Sequence, residues 1–114
     1  LADAQDFYRL FMLPGIGHCG TGIGPDNIGE ENYTAVSPDP EHDVVSALEA
    51  WVERGSKPKK LIASQYVNND PTQGIQMQRP ICPFPADAVY DGSGNPNLAS
   101  SFKCAVPAPD QTSR

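Results

Sequence analysis

The stretch from Phe7 to Pro25, FYRLFMLPGIGHCGTGIGP, joins a dense apolar run to a glycine loop. The run Asp6 to Leu13 (DFYRLFML) is interrupted by Arg9 and stopped by Pro14-Gly15. It is too short for a typical helix and is expected to form a buried strand. From Pro14 to Pro25, five glycines surround His18-Cys19. Glycine at that density suits a tight loop whose backbone approaches other groups closely. A rigid strand feeding such a loop can aim a side chain. From position alone, His18 is either a general base held above a sheet edge or an ordinary loop histidine.

Gly15-x-Gly17-x-x-Gly20 after a strand also matches, on spacing, the dinucleotide-binding fingerprint. That fingerprint needs a helix to begin within the motif, so that its N-terminus meets the pyrophosphate. Gly22, Gly24 and Pro25 forbid one here.

Beyond the loop, the 114 residues hold twelve prolines and ten glycines, concentrated in Pro14 to Pro40 and Pro71 to Pro109. Neither stretch suits long helices or central strands. The clearest element is a helix with Asp39 as N-cap, Pro40 in its first turn and Gly55 at its end. Val44, Val45, Ala47, Leu48, Trp51 and Val52 form its apolar face. Glu41 and Asp43 near the start and Arg54 and Lys57 near the end suit the helix dipole. His42 falls in its first turn, where a solvated histidine is ordinary. Leu61 to Val67 (LIASQYV) is a second strand candidate, and the chain after Asn68 reads as loop-rich. One helix and two strands cannot cover both faces of a sheet, so the chain is expected to be part of a larger fold. Its opening, Leu1-Ala2-Asp3 without an initiating Met, fits an internal cut.

A net charge of −6, with no basic cluster larger than Lys57, Lys59 and Lys60, argues against nucleic acid as a partner. No apolar run approaches the roughly 20 residues that span a bilayer, so no membrane partner is expected. Cys19, Cys82 and Cys104 stand too far apart for a zinc site, and no metal site is expected. A disulfide framework suits them better, with the odd cysteine pairing outside the chain. The sequon at Asn32-Tyr33-Thr34 makes Asn32 a glycosylation candidate and fits a secreted, extracellular protein. No G-x-S-x-G nucleophile elbow occurs, and Ser93 in DGSGNPN reads as a turn residue.

The runs FYRLFMLPGIGHCGTGIGP, DVVSALEAWVERG, RPICPFPADAVYDGSG and SSFKC together resemble the C-terminal third of the tannase/feruloyl esterase family, from about Phe7 to Cys104. The adjacent His18-Cys19 resembles the last part of that family's Cys-Ser, Asp, His-Cys signature. The resemblance implies an α/β fold, with residues 1–114 as the C-terminal portion of an α/β-hydrolase catalytic domain, incomplete alone and ending in a disulfide-stapled, loop-rich tail. It implies that His18 is the triad base, that Cys19 bonds a cysteine outside this chain, and that Cys82 bonds Cys104. The serine, the aspartate, a structural calcium and the lid would all lie upstream, leaving no cofactor in this segment. Asp3 and Asp6 sit too close to the strand before His18 to serve as the triad acid. The implied activity is hydrolysis of aromatic acyl esters, feruloyl, galloyl or related. The implied partners are the aromatic ester substrate and the N-terminal remainder of the same protein, disulfide-linked to this chain. Read without the resemblance, the residues equally fit a small secreted, disulfide-stapled binding module without catalysis.

Overall fold

Asp43, not Asp39, opens the helix. In the computed structural model, which describes residues 1–18, 22–29 and 35–109, helix α1 runs Val44–Arg54 and the Asp43 side chain accepts from the Val45 N–H. It also accepts from the Ser46 hydroxyl at 2.8 Å. Asp39 instead closes a separate turn, where its Oδ1 accepts from the Glu41 and His42 N–H groups. The expected start was therefore four residues early, because an acidic residue followed by proline serves a turn as well as a helix. At the other end Gly55 adopts the left-handed conformation (φ 68°). The Gly55 N–H donates to the Trp51 carbonyl at 3.0 Å, the 5→1 bond of an αL closure, and the Ser56 N–H reaches the Ala50 carbonyl at 3.1 Å. Replacing Asp43 by Ala is expected to cost about 1 kcal/mol. Equilibrium urea unfolding checks this, and a variant of unchanged stability would remove the cap from the account.

Strand β1 (Leu61–Tyr66) pairs antiparallel with β2 (Ile75–Ile81), and β3 (Asp87–Tyr90) pairs antiparallel with β4 (Phe102–Ala105). Three strands thus occupy a region that reads as loop. Pro80 stands inside β2 opposite Ile62. The Ile62 N–H points away from β2, to the Glu41 carbonyl, so this is a non-hydrogen-bonded pair. The N–H that proline lacks would have faced away from β1 too, and the ladder loses nothing. Gln78, two residues earlier, shows the same direction by donating to the Asn97 carbonyl.

The core lies where α1 meets β1 and β2. Ala47, Leu61, Ala63 and Ile81 are buried together, with Phe11, Leu13, Ile28 and Val44 packed against them. The apolar arc of α1 is wider than its buried face, since Val45, Leu48 and Val52 are exposed while Ala47 and Ala50 are buried.

The run Asp6–Leu13 is not a buried strand. Ala4–Asp6 forms a 3-10 turn, and among the described residues the run makes one isolated bridge, Phe11 to Pro83. Phe11 and Leu13 turn inward, whereas Phe7 and Met12 are 79% and 64% exposed. Apolar composition indicates what a segment is able to bury, but burial needs neighbours on both faces. Arg9 secures the run to the helix end, donating to the Pro58 carbonyl at 2.6 Å with its guanidinium 5.7 Å from the Trp51 ring centre. Asp6 forms an exposed ion pair with Lys57.

The tail after β2 is held by a disulfide between Cys82 and Cys104, 22 residues apart. The Phe102 ring meets the Arg79 guanidinium, 4.6 Å from its centre, and the tilted Tyr90 ring, 5.5 Å away between centres. Asp91 turns the β3–β4 connection by accepting from the Ser93 and Gly94 N–H groups, which makes Ser93 a turn residue. Because little apolar material lies beneath this segment, removing the disulfide by Cys82→Ala with Cys104→Ala is expected to cost about 3 kcal/mol on the chain-entropy model. A loss below about 1 kcal/mol in urea unfolding would show that side-chain packing alone holds the tail.

Candidate active site

His18 sits near the tip of a narrow hairpin-like loop and is exposed. The Gly24 N–H donates to the Gly15 carbonyl at 2.8 Å, and Ile16 bridges Gly22. Two glycines make this closeness possible. Gly22 has φ +128°, and a Cβ there would press into the Gly15 carbonyl; a Cβ on Gly24 would press into the Pro14 carbonyl. In both places the two legs touch backbone to backbone, leaving no room for a side chain.

Both legs of the hairpin are anchored in the core. On the leading leg, Leu13 packs against the core cluster, and the Leu10 carbonyl accepts from the Phe84 N–H at 2.7 Å. On the returning leg, Asn27 and Ser64 exchange both backbone hydrogen bonds at 2.9 Å. Ser64 is fully buried and Asn27 is 3% exposed. The returning leg is thus joined edgewise to β1, and the Ile28 carbonyl next accepts from the Val44 N–H at the start of α1. A mobile-looking glycine sequence is in this way tied at its base to strand and helix, so the imidazole is carried on a short, anchored arm. This anchor lies within Pro14 to Pro40, where the sequence offers no strand signal. Asn27 and Ser64 pair through their backbones, which sequence does not distinguish.

His42 is placed elsewhere and is not simply solvated. It lies in the turn before α1, half-buried, with Nδ1 3.0 Å from both Asp39 carboxylate oxygens. A bond from Ser37, with further bonds from His42 and from the Glu41 and His42 backbone, outweighs burial and holds the Asp39 carboxyl far below the usual carboxylate range. Cys19 and Asn32 fall outside the described residues. No three His, Cys, Asp or Glu side chains among the described residues are grouped to hold a metal ion.

The family model for tannase and feruloyl esterase matches residues 1–105. The chain belongs to the tannase and feruloyl esterase family. An uncharacterized esterase of Xanthomonas campestris pv. campestris is 43% identical over 105 residues, covering 91% of this chain and 18% of that protein. The mono(2-hydroxyethyl) terephthalate hydrolase of Piscinibacter sakaiensis is 36% identical over 108 residues, covering 94% of this chain and 15% of that protein. The crystal structure of an esterase from Aspergillus oryzae superposes with a TM-score of 0.82 at 30% identity, over 91% of this chain and 20% of the other. Feruloyl esterase B of the same organism gives 0.78 at 26% identity, with the same coverage. The chain therefore spans about a fifth or less of the length of these relatives.

Proposed function

We propose that this chain is the C-terminal part of an α/β-hydrolase domain in a secreted carboxylic ester hydrolase, and that it contributes the catalytic base, His18. The observation that carries the reading is the doubly anchored glycine hairpin presenting one exposed imidazole, in a member of an esterase family. Family membership also weighs against the alternative of a non-catalytic binding module.

In the proposed reaction, a serine from the rest of the polypeptide attacks the ester carbonyl carbon while the neutral His18 ring takes its proton. The tetrahedral adduct collapses, the C–O bond to the alcohol breaks, and His18 returns the proton to the departing alkoxide oxygen. Water then repeats the cycle on the acyl-enzyme, with His18 again as base and then acid, releasing the carboxylic acid and restoring the serine. An aspartate outside this chain would hold the imidazole tautomer. A disulfide from Cys19 to a cysteine beside that serine would keep base and nucleophile in register. The substrates proposed are esters of aromatic acids, supported by relatives named feruloyl esterase and mono(2-hydroxyethyl) terephthalate hydrolase. The calcium implied by the family resemblance finds no ligand group among the described residues, and no step is assigned to it.

The test is hydrolysis of methyl ferulate and of an aliphatic methyl ester by the full-length protein, with non-reducing peptide mapping of the same sample. The expected result is preferential turnover of the aromatic ester and Cys19 recovered in a disulfide with a distant cysteine. Absence of turnover of either ester would overturn the proposed activity. A free Cys19 thiol in active enzyme would overturn the tie.

A further inference from the structure

All four lysines of the chain, Lys57, Lys59, Lys60 and Lys103, line a single cavity of about 660 Å3. Three follow α1 closely in sequence, and the fourth arrives on β4, which the Cys82–Cys104 disulfide and the Arg79–Phe102 contact hold beside β2. The gathering runs against the charge of the chain, which is −6 overall. Glu41 is the one carboxylate lining the cavity among the described residues.

Two of the four ammonium groups already have partners, Lys57 with Asp6 at 2.6 Å and Lys60 with Glu41 at 4.0 Å. Among the described residues, no carboxylate lies within ion-pair distance of Lys59 or Lys103. Most of the remaining wall is apolar, built from Pro40, Ala47, Pro58, Pro80 and Phe102, with Ser56 and the disulfide-bonded Cys104 completing it. A volume of this order is typical of small-molecule sites, which combine an apolar lining with a few polar groups that fix orientation. No residue of the His18 hairpin contributes to it.

We propose that this cavity is a second ligand site, separate from the His18 hairpin, which takes an aromatic anion. Its ring would lie against the proline, alanine and phenylalanine wall, and its carboxylate, sulfonate or sulfate group would face Lys59 and Lys103. Neither half of the lining suffices alone. Exposed lysines hold a simple anion weakly in water, whereas an apolar wall selects for a body that an inorganic ion lacks.

The test uses the full-length protein and three probes, naphthalene-2-sulfonate, the uncharged 2-naphthalenemethanol and inorganic phosphate, titrated by isothermal calorimetry at low ionic strength. The expected result is saturable binding of the sulfonate, about tenfold or more tighter than either of the other probes. Lys59→Gln combined with Lys103→Gln should weaken sulfonate binding by about tenfold or more while leaving ester turnover unchanged. Equal sulfonate affinity in the double variant would overturn the assignment, as would no saturable binding at all. Equal affinity for the alcohol would reduce the cavity to an apolar groove. Equal affinity for phosphate would reduce it to a basic patch.

Discussion

Replacing His18 by Ala in the full-length protein is expected to lower kcat for ester hydrolysis by about four orders of magnitude or more. The loss is large because the base acts in both halves of the proposed cycle, taking and returning a proton each time. What survives is the contribution of substrate binding and of charge stabilisation elsewhere in the site. KM should change little, since the imidazole is proposed to act on the serine proton. Folding should be nearly unaffected, because the side chain is exposed at a hairpin tip. The control is His42→Ala, which removes the pairing with Asp39 and should leave kcat near normal. Comparable losses in the two variants, or near-normal kcat after His18→Ala, would return His18 to the ordinary loop histidines.

Gly22→Ala should depress kcat by about a hundredfold with little loss of folded protein. The position has φ +128°, which side-chain-bearing residues rarely adopt, and the new Cβ would meet the Gly15 carbonyl and, at 3.0 Å, the Ile16 Cα. Both obstacles are backbone, so the two legs of the hairpin must separate. A base that must stay within hydrogen-bond reach of its serine loses about two orders of magnitude in rate when displaced by about 1 Å. The core is untouched, because the anchors at Leu13, Asn27 and Ser64 lie below the contact. Gly92→Ala separates backbone strain from displacement of the base. Its φ is also positive, +88°, but nothing lies within 4 Å of a Cβ there. It should therefore cost about 1 kcal/mol of stability and leave kcat unchanged. If Gly22→Ala keeps the unaltered kcat while circular dichroism shows it folded, the close contact of the two legs has no part in positioning His18.

Some of this was legible in the residues themselves. The β1 strand was visible in LIASQY, and the end of α1 in Gly55, because local periodicity and capping chemistry depend on few neighbours. The glycine loop was visible too, since a density of five glycines within twelve residues has few other uses. The start of α1 was not, because Asp39-Pro40 and Asp43 offer two competing caps and only the packing of Val44 and Ala47 on β1 selects between them.

By itself the sequence determined which side chains were available for chemistry: one histidine within a glycine loop, no nucleophile elbow, and family motifs that set the expected role. It also determined the local breaks, since proline and glycine restrict or free the backbone wherever they stand. Tertiary structure alone decided the rest. It placed Pro80 within a strand by turning its missing donor outward, left Phe7 and Met12 exposed despite their composition, and joined Asn27 to Ser64 to hold the returning leg of the hairpin. It also brought Lys103 beside Lys57, Lys59 and Lys60. The physical reason is common to all four: burial, ladder direction and the field of a cavity are properties of neighbours in space, whereas residue type and local spacing report only what each segment is able to do.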